Sequence, residues 1–208
     1  MLLLSKQGWA GSTQRALKSN LLKRVEKMNE KTQKLTVSAV MIALATALSF
    51  VKLWEMPLGG AVTLLSMLPM CLLSVMYGVK WSALPCFVYA AIQMAVSGVF
   101  GWGLTPTVLV GAIIFDYLAP FTCLCFAGAF RKKGLWGIVF GILLVCVVRF
   151  LFHFASGCIF FRSYELFNNP YMWSLAYNGT FMLPELGLTL VGAVALFKVP
   201  AINKFIKL

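Results

Sequence analysis

The sequence predicts an all-α membrane protein with six transmembrane helices and both termini in the cytoplasm. Hydrophobic residues make up 61% of the 208-residue chain and charged residues only 12%, with a mean hydropathy of +0.87. A soluble domain carries about 25% charged residues on average, so this chain cannot dress its surface for water. The apolar residues fall in helix-length blocks, whereas an outer-membrane barrel would show alternating segments of roughly ten residues. Finally, the basic residues gather on alternate connections, as the positive-inside rule requires of a multi-pass protein.

Taken in order, the candidate spans are residues 35–51, 62–78, 81–99, 107–129, 135–157 and 172–197. Crossing the hydrocarbon takes roughly 20 residues of helix, which makes the second block short, tilted or partly re-entrant. The connections are a Gly/Pro turn-rich loop "KLWEMPLGGA", the turn "YGVKW", the loop "GVFGWGLTP", the basic turn "RKKG" and the longer loop "FRSYELFNNPY". Residues 1–34 form a basic amino-terminal segment, residues 35–200 the six-helix domain and residues 201–208 a basic tail. The run "MLLL" is too short for a signal-peptide core. Met28, heading "MNEKTQKLTVSAVM", is a second candidate start that would make residues 1–27 an extension.

With six spans, the amino-terminal segment, Lys80, Arg131 to Lys133, Lys198, Lys204 and Lys207 share one side, which collects fifteen of the eighteen Lys and Arg. That side is expected to be cytoplasmic. Anionic lipid therefore accounts for the net charge of +12 without any nucleic acid. The loops 52–61, 99–106 and 158–171 then face outward and carry Trp54, Trp102, Phe160, Phe161, Tyr164 and Tyr171. Interfacial anchoring explains each of these rings singly, yet turn glycines and aromatics together on one side also suit a binding face.

Three ionisable residues fall inside the spans: Asp116, Arg149 and Glu185. Each costs roughly 2.5–3.5 kcal/mol against lipid, so all three are expected to face the bundle interior. Counting at about 1.5 Å per residue from the outer helix ends puts them at comparable depths. Arg149 and His153 are four residues apart, and Asn178 and Glu185 seven apart, so each pair shares a helical face. The expected result is a polar seam, with His153 and Asn178 above and the three charges below. Two carboxylates against one guanidinium, with His153 counted as neutral, leave one negative charge for a monovalent organic cation. The plainer reading is that Arg149 and Glu185 form a structural pair and Asp116 is protonated or hydrogen-bonded. Tyr89, Tyr117, Phe161, Trp173 and Tyr177 lie near the outer halves of their spans, and an aromatic face beside a desolvated cation contributes roughly 0.5–2 kcal/mol. A flat, positively charged heterocycle fits that inventory.

The segments "RFLFHFASGCIFF", "SLAYNGTFMLPE" and "DYLAPF" together resemble the thiamine-specific S-component family (ThiT type) of energy-coupling factor (ECF) transporters, over about residues 35–200. The joint signature is H-F-x-x-G-x-I-F, then Y-N-G, then P-E. The resemblance implies a six-helix bundle in the bacterial cell membrane that captures thiamine in an outward-facing pocket and needs no cofactor. It implies that Asp116 and Tyr117 contact the ligand's polar groups, and that His153 and Asn178 are its pocket histidine and asparagine. Phe161 stands where the family often has tryptophan, Tyr89 where some members have it, and Trp173 where tyrosine is frequent. Trp54 and Glu55 fall in the loop that carries an acid in some members, with Thr63 as the alternative position. The small-residue row Ala39, Ala43 and Ala47 resembles the face on which S-components dock against the shared transmembrane coupling subunit. Such spacing also serves ordinary helix packing. No phosphate-cradling G-x-x-x-x-G-K-[ST] occurs in the chain, so two separate ATPase subunits are the implied energy source.

Two rivals remain from the residues themselves. An intramembrane hydrolase would use His153, Ser156 and Asp116 as a triad, but the chain has no G-x-S-x-G elbow. A transporter component for another vitamin or a pyrimidine precursor would share the fold and lack the need for a cation site. The six cysteines sit in apolar blocks without metal-ligand spacing, so they are expected to be packing residues.

Overall fold

The computed structural model describes residues 26, 28–161 and 168–199. The expected loop residue Tyr164 and the tail 201–208 lie outside the described residues. The chain forms two compact units, residues 1–37 and 38–208. In the first, the described residues are helical, and Lys34 pairs with Glu30 one turn earlier at 2.5 Å.

Helix α1 runs Met28–Ser49, followed by an antiparallel hairpin of β1 (Lys52–Glu55) and β2 (Ala61–Thr63). Then come α2 (Leu68–Tyr77), α3 (Val79–Val96), α4 (Pro106–Ala112), a π-helical turn Ile113–Leu118, α5 (Ala119–Thr122) and a 3-10 stretch Cys123–Gly128. Two long helices, α6 (Gly134–Ile159) and α7 (Pro170–Phe197), complete the described chain. Among the described residues, five segments are long and apolar enough to cross a membrane: Met28–Ser49, Val79–Gly101, Pro106–Gly128, Arg131–Ile159 and Pro170–Phe197. The protein is thus a multi-pass helical membrane protein. The outward sides of these spans carry Leu84, Trp136, Leu151, Leu183 and Val191, all exposed and suited to lipid.

The expected second span is the main departure. Instead of a helix over 62–78, the chain forms β2, a turn with Leu65 at φ 61°, and a helix of ten residues. The cause is chemical: Thr63 and Ser66 bond each other at 2.6 Å, and Thr63 donates to Glu185 at 2.8 Å, so these hydroxyls serve tertiary contacts. Pro69 then sits in the first turn of α2, where its missing N–H costs nothing. The expected loop 52–61 is likewise ordered, with Lys52 opposite Thr63, Trp54 opposite Val62 and Glu55 opposite Ala61. Val62 seats the hairpin on Phe181 and Met182 of α7.

The fourth span changes pitch along its length. Pro120 has no N–H to give the carbonyl of Asp116 four residues back, and the Ala119 N–H bonds Ile114 O, five residues back. Beyond it, the chain packs backbone to side chain against α2. Ser74 Oγ donates to Cys125 O and accepts from the Gly128 N–H at 2.9 Å. Arg131 donates to the carbonyls of Val75 and Met76 at 2.8 and 2.9 Å, closing the end of α2.

On α1, Ser38, Ala45 and Ser49 are buried, while Ala39, Ala43 and Ala47 lie one turn apart on the exposed side. Inside the bundle, Glu185 Oε2 accepts from Arg149 at 3.3 Å and Oε1 from Thr63, so one carboxylate ties α7 to both α6 and the hairpin.

Two outcomes are expected for purified protein unfolded by denaturant in detergent. A Cβ at Gly128 would stand 2.2 Å from Ser74 O, so Gly128→Ala should cost about 1–3 kcal/mol. Arg149→Met alone should cost about 3–5 kcal/mol by stranding Glu185, and the double change Arg149→Met/Glu185→Met should recover most of it.

Candidate functional site

At the end of the bundle that carries the hairpin lies a cavity of about 630 Å³. The hairpin, α3, the π turn, α6 and α7 all contribute to its lining. Its volume is that of a pocket for a small organic molecule.

The π turn is what presents Asp116 and Tyr117 together. Widening the turn reduces the angle between successive side chains, and both residues line the cavity. The sequence signal for it was Pro120, four residues after Asp116. Asp116 meets α6 at two points: Oδ1 lies 3.0 Å from His153 Nδ1, and Oδ2 accepts from Ser156 Oγ at 2.6 Å. His153 and Ser156 are one turn apart, so a single helix face grips both carboxylate oxygens.

Asn178 lines the cavity from α7. Its amide nitrogen donates to His153 O at 3.2 Å, Ser174 O at 2.9 Å and Ser174 Oγ at 3.1 Å. All of these bind α7 to α6 or to itself through the amide nitrogen, and the carbonyl oxygen Oδ1 takes no part in them. Tyr177 closes the cavity on the hairpin side. Its hydroxyl donates to Pro57 O and accepts from the Gly60 N–H at 3.0 Å. Trp102 covers the same loop: Gly59 has φ +86°, and a Cβ there would stand 2.6 Å from the Trp102 ring. Phe161, Trp173 and Phe181 add aromatic surface, with Trp173 and Tyr177 tilted at 5.2 Å between centroids.

The floor is the second polar tier. Arg149 lies 4.5 Å over the ring of Phe121 and also donates to Met67 Sδ, while its Nε is buried without a partner among the described residues. The expected seam is therefore corrected in one respect. Asp116 does not join Arg149 and Glu185 in a lower layer but pairs with His153 in the upper one. Helix depth alone could not distinguish these, because the choice depends on how α6 is rotated against the π turn.

Other expected site residues separate cleanly. Asp116, Tyr117, His153, Phe161, Trp173, Tyr177, Asn178, Glu55 and Thr63 all line the cavity, as do Arg149 and Glu185. Tyr89 does not: it is fully buried behind Phe121, edge to face at 5.6 Å. Trp54 is exposed on β1 and lies off the lining. Glu55 is at the rim, paired with Lys52 at 2.5 Å. Lys52, Gln93, Ser97 and Trp102 line the cavity without having been singled out as site residues. Trp102 was signalled as a ring on an outward loop, and the other three only by proximity in sequence to turn glycines or to the hairpin.

Among the described residues, the charged lining groups fall into Lys52 with Glu55, Arg149 with Glu185, and Asp116 with His153. The first two pairs cancel. The hydrolase arrangement is absent from this geometry: Ser156 Oγ donates to Asp116, whereas a nucleophile relay needs it on the imidazole.

Comparison with known proteins bears on the family and the fold. Residues 35–204 match the thiamine transporter protein family Thia_YuaJ. The thiamine transporter ThiT of Bacillus subtilis (strain 168) is 30% identical over 175 residues, covering 76% of this chain and 88% of that protein. A solved structure of ThiT from Listeria monocytogenes superposes with a TM-score of 0.71 at 18% identity, covering 85% of this chain and 98% of that one, and shows the same fold. The chain belongs to the thiamine transporter family, and it is a transporter component, not an enzyme.

Proposed function

We propose that the cavity under the hairpin is where this transporter holds thiamine, and that the chain works as the substrate-binding S-component of an ECF importer. The observation that carries the reading is the charge on the lining. Two opposite pairs cancel, and Asp116 remains as the acid whose neighbours are a hydroxyl and an imidazole. A fixed thiazolium charge offsets that acid in a low-dielectric site, where an unanswered charge is expensive. Phe161, Trp173 and Tyr177 supply faces for the two flat rings, and Asn178 Oδ1 and Tyr117 supply polar contacts to the aminopyrimidine.

The positive-inside distribution supports cytoplasmic termini and a cavity that opens outward, on the reading that β2 and α2 together make the remaining crossing between α1 and α3. Delivery then needs partners. The exposed alanine row on α1 offers a close-packing face to a membrane coupling subunit, and two ATPase subunits supply the energy that no nucleotide-binding motif in this chain can.

Titrating thiamine into the detergent-purified chain should quench tryptophan fluorescence, since Trp102 and Trp173 line the cavity. Absence of saturable quenching and of any calorimetric signal would count against the assignment. Asp116→Asn should weaken thiamine by about 30-fold or more, given roughly 2–5 kcal/mol for removing one partner of a buried charge contact, and weaken a neutral pyrimidine analogue much less. Equal losses for both ligands would remove the electrostatic argument. Ala43→Trp should leave thiamine binding intact and abolish co-purification with the coupling subunit, together with uptake in cells; unchanged uptake would show that another face docks.

A further inference from the structure

Ser156 is almost fully buried, at 1% exposure, and does not line the cavity, yet it holds Asp116, the acid that among the described lining residues meets no Lys or Arg. We propose that Ser156 is a positioning residue which, with the Nδ1–H tautomer of a neutral His153, fixes Asp116 as an uncompensated anion. The proposal rests on the thiamine reading for its purpose, but its geometry stands independently.

The argument turns on the atom of His153 that faces away from Asp116. Nδ1 is 3.0 Å from Asp116 Oδ1, and Nε2 is buried with no partner among the described residues. The ring meets Phe181 edge to face, with centroids 6.1 Å apart. Were the imidazole cationic, Nε2 would bury an N–H donor with nothing to accept it. The neutral ring with its proton on Nδ1 buries only a lone pair there, and unsatisfied acceptors are better tolerated than orphaned donors. The Nε2–H tautomer is worse still, because it would set the Nδ1 lone pair against a carboxylate. Among the described residues, no other charged group on the lining relieves this balance: Arg149 on the same helix is engaged by Glu185 of α7, Lys52 on the hairpin by Glu55, and Tyr117, Tyr177 and Asn178 carry no formal charge.

It follows that the contact between His153 and Asp116 is a neutral hydrogen bond to an anion. Two neutral donors grip the carboxylate, one per oxygen, and hold its orientation without cancelling its charge. A lysine or arginine in the place of Ser156 would hold the same carboxylate and abolish the cation preference. Discrimination for a cationic over a neutral ligand is thus set one layer behind the lining.

The sequence contains a single histidine, which makes the test direct. The full chain labelled with 15N-histidine, ligand-free in nanodiscs at neutral pH, should show one protonated pyrrole-type Nδ1 and one pyridine-type Nε2. An imidazolium pattern, or a protonated Nε2, overturns the proposal. For binding, Ser156→Ala should weaken thiamine about tenfold or more, the loss of one hydrogen bond to a charged group, while a neutral hydroxymethylpyrimidine loses less than about twofold. Ser156→Thr should restore the preference. A loss shared equally by both ligands points to a merely structural serine and overturns it. The spectral arm needs no ligand, so wild-type protein that shows the Nδ1–H pattern but does not bind thiamine would refute the substrate and leave the clamp supported.

Discussion

A carboxylate buried between membrane helices must find its donors in the protein, because lipid supplies none, and much of this structure is arranged around that requirement. Glu185 is 2% exposed and takes one donor from the hairpin and one from α6. Through it, three elements distant in sequence meet at the cavity floor. The guanidinium that answers it rests on Phe121, which Tyr89 supports from behind. A change in Glu185 therefore reaches the hairpin, the floor and the packing of α5 against α3 at once.

The second acid of the interior, the half-buried Asp116, obeys the same rule by different means. Asp116 is held by a hydroxyl and an imidazole where Glu185 meets a guanidinium, so on the proposed neutral tautomer of His153 the lower tier is closed electrostatically and the upper one is not. The proposed binding role and the structural role thereby fall to separate carboxylates in one small space. A site whose only acid were salt-bridged would be as well ordered, and it would have nothing to offer a cation.

The hairpin links these tiers to the cavity mouth. Val62 is packed on α7, Thr63 is bonded to Glu185, and the loop between the strands is fastened by Tyr177 and covered by Trp102. Away from this end, α2 and the 3-10 stretch approach so closely that a methyl group at Gly128 would strike the backbone of Ser74. Tight backbone contact there and looser aromatic contact beneath the hairpin are consistent with space being kept for a ligand at one end of the bundle.

What the sequence by itself determined follows from properties each residue carries wherever the chain places it. Hydropathy required membrane helices, and the long blocks that became α3, α6 and α7 were legible almost to their ends. The cost of burying charge put Asp116, Arg149 and Glu185 inside, and helical spacing put His153 and Asn178 with them. Tertiary structure alone decided how those groups pair, because pairing depends on the rotation of one helix against another, which no local pattern encodes. It replaced a continuous helix over 62–78 with a strand and a short helix, since the partner of Thr63 lies 122 residues away. It also set Trp102 against the hairpin loop and Tyr89 behind Phe121. Spacing could show that both rings were near the outer face, but only packing could decide which of them meets the cavity.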